Sequence, residues 1–243
     1  MRLCVGRGER TFLFGGIALA ACIEVMERSC GLPTSHATAQ FLGPARTGDV
    51  LEFQVNSEGG SLRQCAVEAQ AGGTPFLRVT GACGRRGVGT AYQGSAPPAV
   101  APPTDCPERS VARLLSSNIQ ALLEFRLAAG VLPDRAGWSA KGGQDLACWV
   151  RARDGALLSR PLLAVIADCA ALAVPGALGR PASGSSLDNQ VRFAAPPEGQ
   201  WALAETRVEA VMDGLVQTRS RLFSEQGQLL ALASQTMVLR LWD

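Results

Sequence analysis

The sequence has one histidine, His36, and no two of its eight cysteines stand in a Cys-x-x-Cys spacing. A zinc site of the closely spaced kind is therefore poorly supported, and no metal ligands are assigned. Aromatic residues make up only 5% of the chain, too few for the stacking platforms that bind single-stranded nucleic acid. The formal net charge is only +2 and the arginines are scattered, so no basic face is set up for a phosphate backbone. No nucleic-acid partner is expected. An unbroken run of about 20 apolar residues is also lacking, which argues against a spanning helix and a membrane partner. The glycines between Gly84 and Gly89 do not join a strand to a helix, as a phosphate loop would.

What is present is material for a core. Hydrophobic residues are 47% of 243, enough for one large domain or two small ones. The cysteines are Cys4, Cys22, Cys30, Cys65, Cys83, Cys106, Cys148 and Cys169. Of these, Cys22, Cys65, Cys148 and Cys169 fall in apolar periodic segments and read as small core residues. Their even scatter favours reduced thiols, and hence a cytoplasmic location, over a disulfide framework. At the start, Arg2, Arg7 and Arg10 precede an apolar run from Thr11 to Ile23, and Leu19-Ala20-Ala21-Cys22 has the form of a lipoprotein signal-peptidase site. Glu9 interrupts the basic part, however, and Gly15-Gly16 the apolar part. The segment is read as part of the fold.

The stretch Arg160 to Arg180 carries apolar residues at three- and four-residue spacing: Leu162, Val165, Ile166, Cys169, Leu172 and Ala173. This is the stripe of a core helix. Pro161 suits its first turn, and Pro175-Gly176 is expected to stop it. Asp168 lies at the edge of that stripe. An ionised carboxylate there must be partnered or must face water or a ligand.

The remaining segments sort into two halves. The first has a helical period from Phe12 to Glu27, then β-like runs over Thr34–Phe41, Val50–Val55, Ser61–Gln70 and Phe76–Cys83, with turns at Gly59-Gly60 and Gly72-Gly73. Residues 85–110 are rich in proline and read as a linker. The second half has strand patterns over Asn118–Leu127 and, less cleanly, Asp145–Arg153. The Asp168 helix follows, then strands over Ser186–Phe193, Trp201–Val211, Leu215–Phe223 and Leu229–Leu241. Domain boundaries are placed at 1–84, 85–110 and 111–243.

The halves repeat each other. Phe41-Leu42-Gly43-Pro44 aligns with Phe193-Ala194-Ala195-Pro196 at an offset of 193 − 41 = 152. At that offset Gly16 falls on Asp168, Thr34 on Ser186 and His36 on Asp188. Gly73 falls near Gly227, with two residues inserted. Each half is a helix followed by a sheet that wraps it, so one apolar stripe and one sheet face are buried together. Each half-sheet would leave an open edge, and pairing the two edges removes it. Leu229–Leu241, nearly continuously apolar, is expected to be central.

A helix wrapped by a sheet, twice, resembles the double hotdog fold, an α+β class with two helix-wrapped antiparallel sheets joined edge to edge. More closely, the chain resembles the type II acyl-CoA thioesterases. The resemblance rests on Phe14-Gly15-Gly16, Phe41-Leu42-Gly43-Pro44, Ala167-Asp168, Ser186-Leu187-Asp188 and Ala233-Ser234-Gln235. It implies hydrolysis of acyl-CoA to free acid and CoA without a cofactor, with Asp168, Ser186 and Gln235 as the catalytic set. It also implies association into a homodimer. Three positions depart from the family pattern: Gly43 stands for an arginine, Arg192 for an aromatic and Asn189 for a histidine. They leave a non-catalytic acyl-CoA or acyl-carrier binding module as the alternative.

The residues make chemical sense without the resemblance. Asp168 can take a proton from water, and Ser186 and Gln235 have donors and acceptors to orient that water. Gly15 and Gly16 open a helix, where free N–H groups and the positive dipole end can receive an oxyanion. Asp188 and Asn189 are expected to make local turn hydrogen bonds. His36 is expected to be structural. A hydratase built on it is the third reading.

Overall fold

The computed structural model describes residues 4–7, 10–87, 89–109, 119–132, 143 and 145–242. Arg2, Glu9 and Asn118, used above, lie outside the described residues. The chain opens with a hairpin, β1 (Cys4–Arg7) and β2 (Arg10–Leu13), that the sequence pattern did not reveal. Helix α1 (Gly15–Cys30) follows, then β3 (Thr34–Phe41), β4 (Leu51–Gly59), β5 (Leu62–Ala71) and β6 (Thr74–Gly84). The second half contains β7 (Leu123–Ala129), β8 (Asp145–Ala152), helices α2 (Arg160–Ala167) and α3 (Val174–Leu178), β9 (Ala182–Ser186), β10 (Asp188–Phe193), β11 (Ala202–Met212), β12 (Leu215–Ser224) and β13 (Leu229–Leu241).

All strands except the opening hairpin form one antiparallel sheet in the order β4-β5-β6-β3-β10-β13-β12-β11-β8-β7, with β9 paired to β13. The halves meet edge to edge at β3 and β10. Strand β13 is central, between β10 and β12. Helices α1 and α2 lie together inside the curved sheet, and the core is built around Leu19, Ile23, Met26, Leu163, Ile166 and Leu230.

The offset of 152 residues has a geometric meaning. In the β3–β10 register Thr38 stands opposite Gln190, and the Gln190 amide donates to the Thr38 hydroxyl at 3.1 Å. Gly16 and Asp168, another pair at this offset, are also in direct contact. Counterparts that touch lie on the axis relating the halves. The pseudo-two-fold axis therefore passes between α1 and α2 at Gly16 and Asp168, and through the sheet at Thr38 and Gln190.

Two expectations are corrected. The Arg160–Arg180 stretch is not one helix: α2 ends at Ala167, a 3₁₀ segment runs from Asp168 to Ala173, and α3 follows. Pro175 does not stop it. It sits in the first turn of α3, where a missing N–H costs nothing. The stop is Gly179, left-handed at φ 65, whose N–H donates to the Pro175 carbonyl. Second, Ser186–Phe193 is not one strand but breaks at Leu187 between β9 and β10. Taken together, Arg160–Leu178 has the length and mean hydropathy, 1.9, that a membrane span would need, but it contains no long unbroken apolar run and more than half of it is buried inside the protein. Its apolar side chains Leu163, Ala164, Val165 and Ile166 are buried in the core.

Strand β8 is covered on both faces. Leu146, Cys148 and Val150 face the helices, while Ala147 and Trp149 join Trp201, Leu203, Phe223 and Cys106 in a second cluster on the outer face. The proline-rich segment closes over that cluster. Trp149 Nε1 donates to the Ala101 carbonyl at 2.9 Å, Arg126 donates to the Pro103 carbonyl at 3.0 Å, and the Gln93 side chain bonds the β12–β13 turn at Gly227 and Leu229. Beside it, the buried Glu124 carboxylate is held by Arg126 at 2.7 Å and Arg151 at 2.8 Å, and both guanidiniums stack on Trp201. Burial pushes the Glu124 carboxyl up, but the two arginines outweigh it and leave it below the usual carboxylate range. Glu124→Gln is expected to destabilise the fold by about 2 kcal/mol, less than a fully buried pair because both arginines reach solvent. Chemical denaturation checks this, and the difference should shrink as pH falls through the depressed Glu124 pKa.

Candidate active site

The N-terminus of α1 has no side-chain cap: Phe14 precedes it in extended conformation and its side chain offers no acceptor. Ile17 N–H and Ala18 N–H donate to the Phe14 carbonyl, which leaves Gly15 and Gly16 N–H without a partner in their own helix. One partner comes from the other half. The Gly16 N–H donates to Asp168 Oδ2 at 2.5 Å, so the carboxylate lies at the positive end of α1. This close approach needs glycine. A Cβ on Gly16 would stand 2.7 Å from Asp168 Cβ and 3.0 Å from Val165 Cα, and one on Gly15 would stand 3.0 Å from Asp168 Oδ2.

The other carboxylate oxygen, Oδ1, accepts two side-chain amides: Asn189 Nδ2 at 3.0 Å, and Gln235 Nε2. Gln235 Nε2 also reaches Ser186 Oγ at 3.1 Å. Asp168, Gln235 and Asn189 are only 4%, 3% and 1% exposed. Each amide gives its N–H to the acid, and each leaves its own oxygen, Asn189 Oδ1 and Gln235 Oε1, buried without a hydrogen-bond partner. An unpaired buried acceptor costs about 1–3 kcal/mol, and such groups ordinarily hold water or a ligand.

The break at Leu187 brings Ser186 and Asn189 to the same place. In an unbroken strand, residues three apart face opposite sides. Here the Leu187 carbonyl accepts from Phe41 N, its N–H donates to the Thr236 carbonyl, and the Asp188 carboxylate accepts from Thr236 N at 2.6 Å. The strand is re-aimed as at a bulge. Ser186, opposite Met237 in the β9–β13 register, becomes a diagonal neighbour of Gln235. Asn189 then points inward with Val191. The turn roles expected for Asp188 and Asn189 are thus replaced by a cross-strand bond and a bond to the acid.

Burial dominates the state of Asp168 and pushes its carboxyl up to about 7, while the hydrogen bonds from Gly16, Asn189, Gln235 and Ser186 act in the opposite direction. The hydrogen bonds that oppose burial all come from neutral groups. An acid so placed is near half-ionised at neutral pH, a state suited to proton transfer.

Asp168, Ser186, Gln235 and the Gly15-Gly16 turn are brought together. The Gly16 N–H is engaged by Asp168, whereas Gly15, one residue earlier, stands in a helical turn that supplies no acceptor of its own. His36 is elsewhere. It stands opposite Arg192 in the β3–β10 register, and it alternates with the inward-facing Ala37 and Ala39, so it lies on the outer face of the sheet. Asn189 was missed as a site residue. Its one sequence signal is that an amide occupies the inward register of Val191 in a short strand, where polar residues are uncommon.

A sheet of this order, curled around two helices related by a pseudo-dyad, with one acid at their contact, defines a double hotdog protein. An acyl-CoA thioesterase C-terminal domain matches residues 98–239, and an acyl-CoA thioesterase N-terminal domain matches residues 7–84. The chain belongs to the acyl-CoA thioesterase family and is a thioester hydrolase. Among solved structures it is similar to a candidate thioesterase from Novosphingobium aromaticivorans, with 28% identity, a TM-score of 0.85, and 98% of this chain and 92% of that one covered. It is also similar to a hot dog protein of unknown function from Alicyclobacillus acidocaldarius, with 21% identity, a TM-score of 0.81, and 99% and 92% covered. A third similar structure is an acyl-CoA thioesterase II from Mycobacterium marinum, with 20% identity, a TM-score of 0.71, and 95% and 90% covered. No curated protein matches the sequence.

Proposed function

We propose that the chain hydrolyses acyl-CoA thioesters by direct attack of a water held at Asp168, Ser186 and Gln235. The carrying observation is a buried carboxylate whose donors among the described residues are all neutral, beside two amide oxygens that have no hydrogen-bond partner. A water donating to Asp168 and to Gln235 Oε1 would satisfy both. Ser186, bonded to the same Gln235 amide, fixes that side chain's direction. In the reaction the water oxygen forms a bond to the thioester carbonyl carbon, and its proton passes to Asp168. Collapse of the tetrahedral species breaks the C–S bond, and the departing CoA thiolate takes the proton back. The developing oxyanion is received at the N-terminal end of α1, with Gly15 N–H as donor and the helix dipole behind it. Gly16 has a different role from the one its sequence position suggested: it positions the base. A cytoplasmic location, where acyl-CoA and reduced thiols coexist, goes with this reading.

The test is release of free thiol from acyl-CoA substrates of graded chain length, measured against pH. The base must be ionised to act, so kcat should fall as pH drops through the Asp168 pKa, with the midpoint of the acid limb near 7. A limb near the ordinary Asp value of about 3.9 would show that burial does not raise this carboxyl, and a profile with no acid limb would remove Asp168 from the role of base. Absence of turnover across the series, with tight acyl-CoA binding, would favour a binding module.

A further inference from the structure

Spacing along the sequence gave no metal site, but folding brings together cysteines that are far apart in the chain. Cys30 is the last residue of α1, Cys65 lies in β5 and Cys83 in β6. Cys30 Sγ is 3.4 Å from Cys65 Sγ, Cys65 Sγ is 3.8 Å from Cys83 Sγ, and all three lie within 4.8 Å of one another. Two sulfurs bound to one tetrahedral zinc at about 2.3 Å stand roughly 3.8 Å apart. The three thiols are therefore already close to the spacing that a single ion requires.

The surroundings fit the charge. Arg63 stands opposite Cys83 in the β5–β6 register and on the same face of β5 as Cys65. Its Nε is buried and has no hydrogen-bond partner. Three thiolates on a divalent ion carry a net charge of −1, which an adjacent guanidinium offsets. The Thr34 hydroxyl lies 3.6 Å from Cys83 Sγ, where it can donate to a thiolate. Cys30 is half-buried, so the fourth coordination position has access to solvent.

We propose that Cys30, Cys65 and Cys83 form a three-thiolate site for a soft divalent cation of the zinc class, with water as fourth ligand. Binding forms three metal–sulfur bonds, breaks three S–H bonds and releases three protons to solvent. A thiol-redox pair would use only two of these sulfurs, whereas all three lie within 4.8 Å of one another, as ligands of one ion would. The site lies at the opposite end of α1 from Gly16, 14 residues or about 21 Å along the helix axis. It ties the end of that helix to β5 and β6, away from the acid.

The experiment is titration of the reduced, metal-free full-length chain with Co2+ and Cd2+. Thiolate-to-metal charge-transfer absorption should saturate at one ion per chain, and thermal stability should rise with ion concentration. Cys30→Ser and Cys83→Ser should each weaken binding roughly tenfold or more, by loss of a soft ligand. Cys106→Ser, outside the cluster, should bind as the parent does. Arg63→Ala keeps all three ligands and should bind more weakly while retaining the charge-transfer band, even if a cysteine variant fails to fold. The proposal is overturned if no charge-transfer band develops, if Cys30→Ser binds unchanged, or if two of the three thiols are oxidised to a disulfide in place of retaining the ion.

Discussion

Asp168→Asn is expected to lower thiol release from acyl-CoA by about 10²- to 10⁴-fold, the usual worth of a positioned base, while leaving the fold intact. The substitution nearly preserves shape. The new side-chain oxygen can still accept from Gly16 N–H. The new NH2 would face Asn189 and Gln235, whose amides turn over so that their oxygens, unpartnered beside Asp168, accept from it. Stability should move the other way from activity. The Asp168 carboxyl is raised from 3.8 to about 7 in the folded chain, so the folded state binds the proton more tightly than the unfolded state. The parent is therefore at its most stable with respect to this group below about pH 4, and it loses on the order of 4 kcal/mol as pH rises from there to above 7. The substituted amide has no proton to lose over this range. Between pH 5 and 8 the melting temperature of the variant should rise relative to the parent as its hydrolysis stays low. A folded Asp168→Asn protein that hydrolyses acyl-CoA at the parental rate would end the assignment of Asp168 as base.

How much of this was legible in the sequence depended on which contacts were local. Strands β3 and β13 were readable to the residue, because β3 lies between clear turn signals and the long apolar run of β13 is what a central strand requires. Strand β8 alternated poorly for a physical reason. It is buried by helices on one face and by the proline-rich segment on the other, so its apolar residues fall on both. The acid was visible because a carboxylate beside an apolar stripe needs a partner, and because its counterpart, Gly16, showed that the fold alone does not require one. Its partners were less visible. Asp188-Asn189 has the composition of a turn, and only the break at Leu187 makes Asn189 face inward. The break in the Arg160–Arg180 helix was likewise hidden, since neither α2 nor the 3₁₀ segment after it is interrupted by glycine or an internal proline. The three-cysteine cluster depends on two strands and a helix end meeting, which no spacing rule anticipates.

Gly16→Ala should damage stability and catalysis together. In a helix, alanine is better than glycine by about 1 kcal/mol, so an unobstructed site would gain. This one is obstructed. The added Cβ would stand 2.7 Å from Asp168 Cβ, 2.9 Å from the Phe14 ring and 3.0 Å from Val165 Cα. The ring can turn, but the α2 backbone at Val165 cannot yield without moving the helix. Overpacking of this kind costs about 1–3 kcal/mol, or roughly 2–4 °C of Tm per kcal/mol for a chain of this size. Parting α1 from α2 also draws the Gly16 N–H away from Asp168 Oδ2, and a displacement of about 1 Å in a catalytic group can cost about 10²-fold in rate. Gly15→Ala is the comparison. Its Cβ meets side-chain ends, Asp168 Oδ2 and the Phe41 ring at 3.0 Å, which can shift by a few tenths of an ångström. It should therefore lose less stability while still disturbing the acid. Thermal melts and thiol-release assays on the two variants separate these effects, and a Gly16→Ala protein with parental Tm and parental rate would show that the helices do not meet as closely as described. Because Gly16 and Asp168 lie on the pseudo-dyad, a methyl group added to the first half would disable an acid carried by the second.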